Sequence, residues 1–293
     1  MVCAILPRAA AVGSGRGEGS DRVREGIGQA ARRLGAVAFV LLAACGGGGS
    51  GIAGHTAHDL ATVADSPVRA AQRSEAGMFA ADYLRSKHFR SLVVEVAHPQ
   101  GRPPSPLVLD LLRERLAERC DKPDGVTITI GAEIPWSEFG ASQESSGLGE
   151  IEDRYRTEYS DSTSSTAAMF LLFALGHGAP SDDGGLVLGT AYRGSSAAVF
   201  VEDATSHGSL YVNDDELVGC VAVHEAGHLL GLVNRGVPMV VDHEDSDHPG
   251  HEIDPTGNLF WYLSVPVGLS FGDPEFAAFS AASIADIRAF GGK

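Results

Sequence analysis

One stretch limits what this chain can fold into more than any other: residues 213–234, which read NDDELVGCVAVHEAGHLLGLVN. Asn213 with Glu216 three residues later fits a helix-capping box, and Asp214 and Asp215 suit the positive end of a helix. From Leu217 the run is apolar, which predicts a helix buried on all sides. Into that apolar surface the sequence places His224, Glu225 and His228. Residues four apart share one helical face, so both imidazoles can reach a single metal ion. Unpaired polar groups on a buried helix are costly, and zinc ligation satisfies them. Glu225, beside the two histidines, is placed to take a proton from a water activated by the metal. Gly231, three residues past His228, suits the positive φ that ends a helix and turns the chain back. The competing reading is a chance HExxH on an ordinary helix; the capping residues, the apolar setting and the glycines weigh against it.

Residues 77–293 read as one mixed domain around that helix. Residues 78–86 suggest a short helix and Ser91–Ala97 a buried strand. Ser105 can cap a helix with Pro106 in its first turn, running through LVLDLLRERLAERC, and Gly125–Ile130 alternates as a strand. Strand, helix and strand at this spacing predict a crossover unit. A helix near Gly149–Tyr159, strands at Ala167–Leu175, Leu186–Ala191 and Ser196–Glu202, and a closing helix within residues 273–290 complete the expected order.

The N-terminal part reads as an address. Arg32-Arg33 precedes an uncharged, largely apolar run, Leu34–Ala44, which is too short to span a membrane and fits a secretion signal over residues 1–44. Leu42-Ala43-Ala44-Cys45 resembles the bacterial lipobox, which implies cleavage before Cys45 and a lipid on its thiol. Residues 1–22 lie far upstream of the apolar run; a mis-assigned start codon, with Val23 as the true start, accounts for them. Residues 45–76, Gly/Ser-rich at first and poor in large apolar side chains, then form a lipid-anchored flexible linker. The expectation is an exported lipoprotein of the bacterial cell envelope, in the outer membrane or facing the periplasm. The chain carries 22 Lys+Arg against 38 Asp+Glu, a net charge of −16, which argues against nucleic acid as a partner. Its four cysteines are too few and too scattered for a disulfide scaffold.

HEAGHLLGLVN resembles the metzincin zinc motif HExxHxxGxxH, in which the glycine makes the turn that delivers a third histidine. The resemblance implies an α+β, zincin-like domain, a twisted mixed β-sheet with helices including a central HExxH helix. It also implies a Zn2+ cofactor, a peptide or protein substrate, and a metalloendopeptidase with Glu225 as general base. Asn234 stands where the third histidine belongs, and a neutral carboxamide is a poor zinc ligand. The segment that follows supplies His243, His248 and His251. It resembles bacterial lipoprotein-type metzincins with an insertion before a segment HCxxxxCxM, and distantly the archaemetzincins, where the histidine of a His-Cys pair is the third ligand. On that alignment His251 is the third zinc ligand and His243 the alternative. Glu252 and Asn258 stand in place of the paired cysteines, and Phe260 in place of the methionine beneath the metal. Met239 precedes His251 and does not fill that place.

Several residues stay open to two readings. His243 lies in an acidic run (Asp242, Glu244, Asp245, Asp247) that suits a solvated loop, and the run lacks the regular spacing of a calcium loop. Cys220, one turn before His224, is a buried apolar thiol or a group near the metal, and export permits a Cys120–Cys220 disulfide. Ser196–Glu202 is either an edge strand that pairs with a peptide, as the resemblance suggests, or a core strand. Trp261 and Tyr262 either approach the metal or pack. Two other functions fit the departures from the motif: a zinc-stabilised binding module without catalysis, and a metal-dependent hydrolase of a non-peptide bond.

Overall fold

Runs of β-branched and aromatic residues build the centre of the molecule, a computed structural model that describes residues 2–5, 74–180, 185–206, 214–262 and 277–293. Strands β1 (Val2–Ile5), β2 (Ser91–Pro99), β3 (Val126–Ile134), β5 (Thr166–Ala174), β7 (Leu186–Arg193) and β8 (Ser196–Phe200) form one sheet. Their order is β1-β7-β8-β5-β2-β3, and two short strands, β4 (Ser142–Gln143) and β6 (His177–Gly178), pair separately. β3, β2, β5 and β8 are parallel neighbours; β7 runs antiparallel to β8, and β1 antiparallel to β7. The architecture is mixed α/β with a mostly parallel sheet.

Parallel sheets are covered on both faces, and the period of two shows it here. Along β5, Ala167, Met169, Leu171 and Phe173 enter one core, while Phe170, Leu172 and Ala174 enter the other. The first core is closed by helices α1 (Ala80–Leu84), α2 (Pro106–Arg119), α5 (Asp214–Leu229) and α6 (Ala281–Phe290). The second is closed by Leu148 and Ile151 of α3 (Ser145–Tyr155). A further short helix, α4, covers Val201–Thr205. α2 begins as expected: the Ser105 hydroxyl accepts the Val108 N–H, with Pro106 in the first turn. It connects β2 to its parallel neighbour β3. α6 is capped at both ends, by the Ser280 hydroxyl accepting the Ser283 N–H and by Gly291 in the left-handed region.

Two expected elements are corrected in their bounds, and two readings left open are closed. The helix placed near Gly149–Tyr159 spans Ser145–Tyr155, because the Thr157 and Glu158 amides donate to the buried Glu95 carboxylate of β2 instead of continuing the helix. Arg156 leaves the helix for a buried site, where it donates to Glu152, Ser195 and Ser196. The strand expected over Ser196–Glu202 stops at Phe200 and becomes α4; it lies between β5 and β7, so it is a core strand and not an edge. β7 stands beyond it, with β1 on its far side. β1 was not anticipated and falls in the segment read as a leader; a chain cleaved before Cys45 would leave β7 as the edge. Lastly, Cys120 and Cys220 are buried free thiols, each pushed up to about 12 by burial, so no bridge joins them. Among the described residues no helix is long and apolar enough to cross a membrane. The leader apart from Val2–Ile5, Cys45, nearly all of the linker and the Asn213 cap lie outside the described residues.

Candidate metal centre

α5 is the element that brings the chemistry inside. Its first turn carries Asp214, Asp215 and Glu216, and every residue from Glu216 to Leu229 is buried. It ends as the glycine predicts. Gly231 takes φ +79°, its N–H donating to the His228 carbonyl and the Leu232 N–H to the Gly227 carbonyl. Asn234, at φ +61°, is exposed on the turn that follows.

The returning chain delivers His251 to the two helical histidines. The ligating atoms of His224, His228 and His251 all lie within 4.8 Å of one another, and all three residues are buried. Their ring centroids are 4.7, 5.3 and 5.0 Å apart, and His224 Nε2 is 3.0 Å from His228 Nε2. His224 Nδ1 lies 2.5 Å from the Asn258 carbonyl, which only accepts. The proton is therefore on Nδ1, and Nε2 presents a bare lone pair to the cluster. Burial lowers His224 to about 4 and His251 to about 2, and takes His228 well below its usual range, so all three rings are neutral at pH 7.

His228 Nδ1, both ring nitrogens of His251 and both oxygens of Glu225 are buried without a hydrogen-bond partner. Each orphaned group costs about 1–3 kcal/mol, so this cluster taxes the fold by several kcal/mol. Zinc ligation contributes on the order of 10 kcal/mol in small structural sites, enough to offset the cost. Neutral, convergent imidazoles are also the donor chemistry zinc takes. The residues fit the ion.

Glu225 is fully buried under β7, and burial pushes its carboxyl up to about 8. The close approach depends on Gly189 of β7, where a Cβ would stand 2.6 Å from Glu225 Oε1.

The other candidates lie apart from this cluster. His243 is not a solvated loop residue: it is 6% exposed, because α6 comes to it from about 40 residues away. Its Nδ1 faces the Val241 carbonyl and its Nε2 lies 3.6 Å from Asp286 and 3.5 Å from Ser283, not at the other histidines. His248 is half-exposed, bonded to Asp245 at 2.8 Å and stacked on Trp261 at 3.9 Å. Within the acidic run, Glu244 accepts the Gly250 N–H, while Asp242 and Asp247 are exposed. Phe260 tilts against Trp261, and Tyr262 and Met239 pack against the main core, as does Cys220.

Local spacing gave no sign of three residues that matter here. The Asn258 carbonyl fixes the His224 tautomer, and Gly189 admits Glu225. Glu252, fully buried next to His251, accepts the Leu259 N–H at 3.0 Å and the Ser283 hydroxyl at 3.3 Å.

No family model and no curated protein matches the chain. Among solved structures, the crystal structure of archaemetzincin from Methanopyrus kandleri is similar to it, at 16% identity over 69% of this chain and 96% of that one, with a TM-score of 0.44.

Proposed function

We propose that the chain is a zinc-dependent metallopeptidase with a zincin-like, metzincin-type domain that hydrolyses peptide bonds. The observation that carries this reading is the buried cluster of His224, His228 and His251 beside a buried, unpaired Glu225. A purely structural zinc site is usually closed by four protein ligands and has no use for a carboxylate held beside it. Zinc bound at the three histidines would polarise a carbonyl and lower the pKa of water from ~15.7 towards ~7.

The chain's own groups divide the remaining work. Asn258 holds His224 with Nε2 free, and the buried setting keeps all three rings unprotonated. Glu225 takes a proton from the attacking water and returns it to the leaving amine. A carboxyl raised by burial is suited to both duties, and a cation beside it opposes the rise. In a chain cleaved before Cys45, β7, which here pairs with β1, would offer its main chain to an extended peptide in the same manner. Export and a lipid on Cys45 belong to the same proposal and would hold the domain at the cell envelope.

Glu225→Gln preserves the shape of the side chain and removes the base. The variant is expected to retain about one zinc per chain and to lose about 10²–10⁴-fold in turnover on a peptide library. Turnover equal to wild type would refute the mechanism.

A further inference from the structure

His251 reaches the other two histidines from a loop, and a loop alone does not hold a ligand to the tolerance a metal demands. Around it, residues 243–260 cross-link through backbone bonds. Ile253 N–H donates to the His243 carbonyl, Asp245 N–H to the His251 carbonyl, and Glu252 N–H to the Leu259 carbonyl. The side chain of Glu252 then closes the ring a second time. One carboxylate oxygen accepts the Leu259 N–H at 3.0 Å; the other accepts the Ser283 hydroxyl of α6 at 3.3 Å. Leu259 is therefore gripped from both sides by one residue, and that residue is tied to a capped helix.

The two ends of this grip are the two neighbours of the site. Glu252 follows His251 directly. Leu259 follows Asn258, whose carbonyl accepts the hydrogen bond from His224 Nδ1–H, whose N–H donates to the Ala278 carbonyl and whose side-chain amide nitrogen donates to the Cys220 carbonyl on α5. Shortening the Glu252 side chain would release the Leu259 N–H and the Ser283 hydroxyl and loosen both ends together.

We propose that Glu252 is a positioning residue of the metal centre: through Leu259 and Ser283 it fixes the 251–259 loop on α6, so that the His251 ring and the Asn258 carbonyl are presented as one preset unit. The inference rests on the three-histidine reading for its effect on zinc. The clip itself is a property of the metal-free chain. It differs from an ordinary buried hydrogen bond in its consequence, because losing it weakens a ligand set and not only the fold.

The test compares full-length wild type with Glu252→Ala, Glu252→Gln and Ser283→Ala. Zinc affinity is read by chelator competition, metal stoichiometry by elemental analysis, and amide exchange over residues 251–260 in the metal-free forms. Glu252→Ala is expected to bind zinc about 10–100-fold more weakly, and its 251–260 amides to exchange at least about tenfold faster. Glu252→Gln keeps an oxygen for the Leu259 N–H and should stay within about threefold of wild type, a rescue that a general loss of stability would not give. Ser283→Ala, which removes one arm, should fall between them and serves if Glu252→Ala does not fold. Unchanged affinity and unchanged exchange in the alanine variants would overturn the clip. A second zinc per wild-type chain that vanishes with Glu252→Ala would overturn it too, by making the cluster a metal site of its own. Wild type that binds no zinc would sink the three-histidine reading, while the exchange data still decide the clip.

Discussion

His224, His228 and Glu225 are displaced from their ordinary titration in opposite directions, and the signs can be followed to a measurement. The folded values of the three histidines fall below the ordinary 6.5, to about 4 for His224 and about 2 for His251, chiefly through burial. As pH falls below 6.5 the unfolded chain takes up protons that the folded metal-free chain refuses, so stability drops on that side. Glu225 moves from 4.5 to about 8 when buried, so its contribution is whole below 4.5 and is lost as pH rises through about 8. Metal-free protein should thus be most stable near neutrality, and urea midpoints between pH 5 and 9 check it. Replacing His224 and His228 together by Gln should flatten the acid side; an acid side of unchanged steepness would contradict the burial of neutral imidazoles.

At the scale of elements, α5 and β7 meet where Gly189 lies over Glu225. Gly189→Ala would set a Cβ 2.6 Å from Glu225 Oε1, so β7 must lift from the helix. Overpacking of this kind costs about 1–3 kcal/mol, and turnover should fall by about tenfold or more with zinc retained. Denaturation and peptide turnover on the same preparation check both halves. The elements themselves show what a local reading can reach. α5, α2 and β2 were legible because their signals are local: an acidic first turn, a capping serine before proline and a β-branched run, respectively. β8 was read two residues too long, since Ser196–Glu202 keeps a strand-like pattern past the turn into α4. α3 was misplaced because its end is set by Glu95, some 60 residues away. The site divides the same way. His224, Glu225 and His228 follow from helical spacing, whereas His251 was legible through resemblance alone. The burial of His243 and the roles of Asn258, Gly189 and Glu252 depend on partners distant in sequence, which spacing cannot reveal.

Over the whole molecule, a mostly parallel sheet carries two cores, and the candidate centre is built into the one beneath α5. A metal bound there would therefore be tied to global stability. At about 1,000 times its dissociation constant, a ligand bound only by the folded state adds ~4 kcal/mol, which in a domain of this size raises the melting temperature by roughly 10 °C. A melting temperature indifferent to zinc would place the ion outside the fold. The proposed anchor is read separately: Cys45→Ser should abolish labelling by a fatty-acid analogue in a bacterial host and release the protein from membranes. The most direct measurement is the zinc content of purified wild type beside His251→Ala and His243→Ala. About one zinc per chain is expected in wild type and His243→Ala, with loss in His251→Ala, since catalytic sites keep three protein ligands. Zinc that survives His251→Ala, or is absent from wild type, would contradict the three-histidine centre.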